Sequence, residues 1–542
     1  MRKIIILIVV ILAVVIGFNT LKSRNIIIFK DRCGDKICDA KEKANLKLCP
    51  KDCKSTSGGD TGGTGTSGGT SGGDNGNGTG SGDTGSGDTG TGDTGTGGDQ
   101  PPQPPLTGSS ASPFGFHPAK PYDSANDIGI KWTRGGDAPY VFWSFVDSGM
   151  TGDPTKFKWS GTTAKGGSFN YDSLINSQSY GINLLHNIDV EPSRSGYRKN
   201  GSYLPSNEQV YKNFVKEVVK RHPNVRYWQI GNEPSAGLSD YGEFMCLNYD
   251  AIKEADSGVK VLIGGAPGMN MPQSFSNYKT TFDSTFLPLL QDIAEENRKC
   301  FDVFDYHWYG DDDDYLMVKD IHNYIVGKIS SLGIPAPEEY WITEMGTYSG
   351  DPVAKTGDGR VGNEWPYQSE KQQAIDLIKR YVYPLSLGVK KIFMAYGLRE
   401  GFTNTGGYFD LTGLIYDGKS DYDQGSNVKK LSYYTYKKMT SVLEGSDWNN
   451  IQKVQESGGI YIYKFNKSGK SIWVAWNDNT GSKQITISGI NSGSVKITEA
   501  VPNKELGKDV NYATDFITET KSVSNGSVSI TLGDKPVFVE QL

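Results

Sequence analysis

Tyr227-Trp228-Gln229-Ile230-Gly231-Asn232-Glu233-Pro234 is a short apolar run that ends in a carboxylate set between an amide and a proline. A chain that closes a buried strand on a glutamate places a charge at the rim of a core. Burying a lone carboxylate is costly unless a polar partner meets it or it keeps its proton. A general acid uses that raised proton affinity. The pattern recurs in Tyr340-Trp341-Ile342-Thr343-Glu344-Met345-Gly346, where a second apolar run ends in glutamate, followed by a small turn residue. Two such strands predict a pair of carboxylates, distant along the chain, at one end of one sheet.

Outward from these two runs, from Pro113 to about Leu443, short β-rich segments alternate with longer amphipathic ones, the pattern of βα units on a parallel sheet. Segments 114–116, 130–133, 183–188, 226–230, 259–263, 303–307, 340–343 and 391–395 read as eight strands. Between them 206–221, 241–255, 282–298, 317–332 and 369–386 read as helices, the first with Val210, Phe214, Val215, Val218 and Val219 on one face. The whole predicts an α/β fold, a (β/α)8 TIM barrel over 113–444, whose working residues sit at the C-terminal strand ends. Glu233 and Glu344 occupy that position on strands four and seven.

Asn232-Glu233-Pro234 after one strand and Thr343-Glu344-Met345-Gly346 after a later one resemble the acid/base and nucleophile signatures of the clan A retaining glycoside hydrolases. With Ala251-Ile252-Lys253-Glu254-Ala255-Asp256 and Val261-Leu262-Ile263-Gly264-Gly265, the resemblance is nearest to glycoside hydrolase family 39 and its relatives, with family 5 next. It implies that Glu233 is the acid/base and Glu344 the nucleophile. It further implies that Arg134 at the end of strand two keeps Glu344 ionised, that His307 and Tyr309 hydrogen-bond the nucleophile, and that Asn232 meets the sugar 2-hydroxyl. His117, His186, Asp189 and Trp308 are further candidates for the sugar subsite. Strand eight departs from the pattern: where many clan members carry a tryptophan floor this chain has Phe393-Met394-Ala395-Tyr396-Gly397, so Tyr396 is the candidate substitute.

A net charge of −6 with no Lys/Arg block excludes a nucleic-acid partner. No His-Glu-x-x-His, phosphate-binding loop or Gly-x-Ser-x-Gly is present, which sets aside zinc protease, nucleotide and serine-hydrolase chemistry. Asp311 to Asp314 read as a solvated loop, and the expected site holds no metal and needs no cofactor. The expected partner is a carbohydrate substrate, with no obligate protein partner. Segment 348–368, a long loop containing Trp365, is predicted to cover the site. A non-catalytic carbohydrate-binding surface protein on the same scaffold, and a transglycosylase, are the alternatives.

The flanks carry their own signals. Ile4 to Phe18 is almost all Ile, Leu and Val after Arg2-Lys3, which reads as a signal anchor or a cleaved signal peptide over 1–25. Cys33, Cys38, Cys49 and Cys53 lack the spacing of a zinc pair and predict a small disulfide-rich unit over 26–54 in an oxidising compartment. Residues 55–112 are a flexible Gly/Thr/Asp linker with a stiffer Pro-rich end. The expected location is the extracellular face, anchored in the membrane by the N-terminal segment or secreted if it is cleaved. Cys246 and Cys300 are either a further disulfide or two buried thiols. Over 445–542 short alternating runs predict an antiparallel β-sandwich, in which Trp473 and Trp476, three apart, point to opposite faces.

Overall fold

The computed structural model describes residues 110–163, 166–190, 196–268, 274–311, 314–352, 365–420 and 423–542. The predicted membrane segment and cysteine-rich unit lie outside the described residues, as does the linker apart from its last three positions. Among the described residues no helix is long and apolar enough to cross a membrane.

Eight parallel strands close on themselves: β1 (Phe114–His117), β2 (Trp132–Arg134), β3 (Asn183–Asp189), β4 (Tyr227–Ile230), β5 (Lys260–Leu262), β6 (Val303–Tyr309), β7 (Glu339–Gly346) and β8 (Lys391–Ala395). Neighbours run β2-β1-β8-β7-β6-β5-β4-β3, and pairing of Trp132 with Asn183 and Arg134 with Leu185 seals the ring. Alternation along each strand sends every second side chain inward. The inward set forms an apolar floor of Trp132, Leu185, Tyr227, Leu262, Val303, Trp341 and Phe393. Above it lies a buried polar layer of Arg134, Asn187, Gln229, Asp305 and Thr343.

Around the ring lie α1 (Tyr122–Asp127), α2 (Trp143–Val146), α3 (Glu208–Arg221), α4 (Tyr241–Ala255), α5 (Phe275–Thr285), α6 (Leu287–Glu295), α7 (Met317–Ser331), α8 (Glu370–Ser386) and α9 (Leu431–Leu443). Helix α3 buries Phe214, Val215, Val218 and Val219 of its predicted face, and Asn207 caps it by accepting from the Val210 N–H at 3.2 Å. Ser369 and Gln372 form a capping box at the start of α8. The stretch 282–298, predicted as one helix, is broken at Phe286 between α5 and α6. Pro288 explains the break, since it has no N–H to continue a helix and suits the first turn of a new one. Cys246 on α4 is disulfide-bonded to Cys300 before β6.

The C-terminal region is β9 (Gln452–Ser457), β10 (Ile460–Lys467), β11 (Lys470–Asn477), β12 (Lys483–Ser488), β13 (Ser494–Glu499), β14 (Thr518–Ser522), β15 (Ser527–Leu532) and β16 (Val537–Gln541). A six-stranded antiparallel sheet in the order β9-β10-β11-β16-β13-β14 faces the β12–β15 pair. Trp473 lies between these sheets with Ile462, Ile487, Val495 and Ile530. Trp476, on the opposite face as predicted, joins the main core of the barrel. Both indoles are buried.

Candidate active site

The C-terminal strand ends gather a set of polar side chains around one carboxylate. Glu344 is buried, and its Oε1 accepts from Arg134 Nη1 at 2.5 Å with His117 Nε2 at 3.7 Å. Its Oε2 accepts hydrogen bonds from the hydroxyls of Tyr309 and Tyr396 and has His307 Nδ1 at 3.4 Å. Burial alone would raise this carboxyl, but His307, Arg134, His117 and the Tyr309 hydroxyl together hold it well below the usual carboxylate range. The group is therefore a fixed anion. Arg134, itself buried, spends its other donors on Gln229 Oε1 at 2.7 Å and Asn232 Oδ1 at 2.5 Å, so the guanidinium fixes three elements at once.

Glu344 reaches this position through a register shift in β7. Ile342 pairs with Tyr306, but Glu344 pairs with His307, so Thr343 is an extra residue on its strand. Asp305 meets the displaced residue, accepting from the Thr343 N–H at 3.0 Å and the Thr343 hydroxyl at 2.6 Å. Without the bulge, simple alternation from Trp341 would turn Glu344 away from the barrel axis.

Glu233 follows β4 on a backbone with φ of 44°, a left-handed conformation that a non-glycine residue adopts only when its surroundings over-determine it. Its side chain is 35% exposed, and its Oε1 accepts from His307 Nδ1 at 2.7 Å. Carboxylate oxygens of Glu233 and Glu344 and a His307 ring nitrogen all lie within 4.8 Å of one another. Burial would lower the His307 imidazole, but Glu344, Asp305 and Glu233 raise it to about 10. Room for the ring comes from Gly265, where a Cβ would fall 2.2 Å from His307 Nε2. Arg134 and a protonated His307 thus set two positive charges against the two carboxylates. Beside Glu233 opens a cavity of about 290 Å³ lined by Asp189, Arg198, Tyr203 and residues 231–238.

No family model matches this chain, and no curated protein does. Among solved structures, a family 39 glycoside hydrolase from Bacteroides cellulosilyticus WH2 superposes with a TM-score of 0.53 at 14% identity, covering 79% of this chain and 80% of that one. The fold is one that glycoside hydrolases use. An α-L-arabinofuranosidase from Thermotoga maritima (TM-score 0.49, 14% identity, 78% and 89% covered) is also similar. So is a family 30 endoxylanase from Clostridium papyrosolvens C71 (TM-score 0.44, 16% identity, 79% and 95% covered).

Of the residues singled out in the sequence, the structure brings together Glu233, Glu344, Asn232, Arg134, His307, Tyr309, Tyr396 and His117. Asp189 lies in the wall of the adjoining cavity, paired with Arg198 at 2.7 Å. Two are not brought in. His186 is buried with its Nε2 at 3.1 Å from the Pro139 carbonyl, and it alternates with the inward Leu185 and Asn187, so it faces out of the ring. Trp308 alternates in the same way with His307 and Tyr309 and packs its indole 4.2 Å from the Arg380 guanidinium on α8. Trp365, in the loop expected to cover the site, is buried and stacks on Tyr408 with ring centres 4.3 Å apart, and residues 353–364 of that loop lie outside the described residues.

Sequence reasoning passed over the inward layer beneath the carboxylates. Asn187 Nδ2 donates to Gln229 Oε1 at 3.0 Å, and Gln229 Nε2 donates to Asp305 Oδ2 at 2.5 Å. The available signal was a polar residue inside each of three strands: Gln229 alone in its run, Asn187 beside His186, and Asp305 two positions before His307. Phe402 was also missed. It is 53% exposed and stacks nearly parallel on Tyr396, 4.3 Å between ring centres.

Proposed function

We propose that this chain is a retaining β-glycoside hydrolase acting on an oligo- or polysaccharide. The observation that carries the reading is the carboxylate pair, with oxygens within 4.8 Å, one buried and held as an anion, the other half-exposed beside a cavity. Retaining glycosidases work with carboxyl groups about 5 to 5.5 Å apart, too close for a water between carboxylate and sugar. In the first step a Glu344 oxygen bonds to the anomeric carbon as the bond to the leaving oxygen breaks. That oxygen takes the proton shared between Glu233 and His307. In the second step Glu233 takes a proton from water, the water oxygen bonds to the anomeric carbon, and Glu344 leaves as a carboxylate. Arg134, Tyr309 and Tyr396 keep Glu344 ionised between turnovers, and Asn232, oriented by Arg134, presents its amide donors to the sugar.

We also infer that the enzyme works outside the cytoplasm, at the outer membrane face or secreted. The Ile/Leu/Val run at the N-terminus and the Cys246–Cys300 disulfide support this, since such bonds persist in oxidising compartments.

A 2-fluoro β-glycoside with a good leaving group tests the mechanism. The expected result is a covalent sugar on Glu344 by peptide mass mapping, and loss of aryl β-glycoside hydrolysis by roughly 10³-fold or more in Glu344→Gln and in Glu233→Gln. No adduct together with retained sugar binding would favour a carbohydrate-binding surface protein.

A further inference from the structure

The loop between β8 and α9 carries a second gathering of carboxylates that the glycosidase reading does not use. Glu400, Asp417 and Asp423 each offer an oxygen, and these oxygens lie within 4.8 Å of one another. Glu400 lies one residue beyond Arg399, whose segment bridges to Ile415, and Ile415 bridges in turn to Lys429, so three passes of the loop converge there. The Glu400 side chain is 1% exposed, and its Oε1 is paired with Lys430 Nζ. Its Oε2 and Asp423 Oδ1 are sealed from solvent, and among the described residues no hydrogen-bond donor reaches either. Buried carboxylate oxygens in one cluster that no donor meets are costly unless a proton or a cation joins them.

We propose that these three side chains form a calcium site that staples the β8–α9 loop. Calcium binds carboxylate oxygens at about 2.3 to 2.6 Å, so oxygens up to roughly 4.8 Å apart can share one ion. Magnesium, at about 2.0 to 2.1 Å, needs a tighter set. The charges agree. Three carboxylates against the buried Lys430 ammonium leave two negative charges, and Lys419, 3.4 Å from Asp417, is 64% exposed and screened by water. The rest of the Asp423 carboxylate is preset, since its Oδ2 accepts from the N–H groups of Gly418 at 2.5 Å and Lys419 at 2.9 Å, leaving Oδ1 for the ion.

The stapled loop begins with Tyr396, which donates to Glu344, and carries Phe402, stacked upon Tyr396. Calcium at this place would hold the rim of the active site without touching substrate.

The full-length protein, stripped with EGTA, is titrated with CaCl₂ by calorimetry, and Tm is read with EGTA and with excess calcium. The expected result is a Tm rise of roughly 3 to 5 °C at a hundredfold excess over Kd. Asp423→Asn and Glu400→Gln should weaken the calorimetric affinity at least tenfold and abolish the rise, while Glu344→Gln keeps it. If Glu400→Gln does not fold, Asp423→Asn, at a half-buried position, carries the test alone. A Tm indifferent to calcium, an equal response to MgCl₂, or an Asp423→Asn protein that binds and responds like the parent would overturn the proposal. The two carboxyls would then share a proton instead.

Discussion

Arg134 is wholly buried and makes side-chain bonds to Glu344, Gln229 and Asn232, one from each kind of nitrogen it has. Removing one member of a buried ion pair strands the other charge, which costs about 3 to 5 kcal/mol. Arg134→Met should therefore lower stability by that order and raise the Glu344 carboxyl, which His307, His117 and Tyr309 would still hold down. The Glu344 carboxyl is depressed in the fold, so the stability it contributes is present above the unfolded value of 4.5 and is lost as pH falls through its lower folded value. In Arg134→Met that loss should set in at higher pH, and the acidic limb of kcat/KM should move up by at least one pH unit. An unchanged acidic limb would show that the guanidinium does not keep the Glu344 carboxylate charged. The outer ring of this site was legible in the sequence because its members end strands or follow them directly. The layer below was not. Gln229 is the one polar residue of its run, while Asn187 and Asp305 sit among other polar residues of theirs, and only closure of the ring turns the three toward one another. His186 and Trp308 show the converse error: each is next to an inward residue, and alternation by one position carries it to the far side of the sheet.

At the level of elements, all eight strands were visible because each is a short apolar run whose rim carries polar residues. The bulge in β7 was not, since nothing in Ile342-Thr343-Glu344 marks which residue is extra; Asp305, on a neighbouring strand, decides it. The helix layer carries a different test. His322 on α7 lies against Tyr306 of β6, its Nδ1 3.3 Å from the hydroxyl, and meets the Tyr340 ring edge-on. Burial lowers its pKa to about 4 from 6.5. The unfolded chain thus takes up this proton near pH 6.5 and the native protein only near 4. The stability contributed is complete above 6.5 and is lost as pH falls toward 4. Relative to the parent, His322→Gln should gain up to about 1.4 kcal/mol for each pH unit below 6.5. Urea unfolding of both proteins at pH 7.5, 6 and 5 measures this. A difference that stays constant across the three would mean that the ring is charged in the fold.

Across the whole molecule, the barrel and the sandwich share one core. Trp476 lies flat on Tyr461, 5.4 Å between ring centres at 15°, and its Nε1 donates to the Tyr315 hydroxyl at 2.9 Å across the junction. Tyr315 in turn donates to Asp478 at 2.6 Å, and Lys379 on α8 reaches the other oxygen of that carboxylate at 2.7 Å. Farther along the same junction the buried Glu370, the first residue of α8, accepts from the Gly507 N–H at 2.8 Å and the Leu431 N–H at 2.7 Å. A seam that joins an indole, a stack of phenols and buried carboxylates couples the two parts more tightly than a linker would. They should therefore unfold together although the sequence divides them at residue 444. Truncating a buried tryptophan costs about 3 to 5 kcal/mol. In Trp476→Ala that loss should lower one calorimetric transition as a unit, with near-ultraviolet dichroism and glycosidase activity lost at the same temperature. If instead two transitions separate, and the one that carries activity stays at the parent's Tm, the sandwich is an appended module and the barrel stands without it.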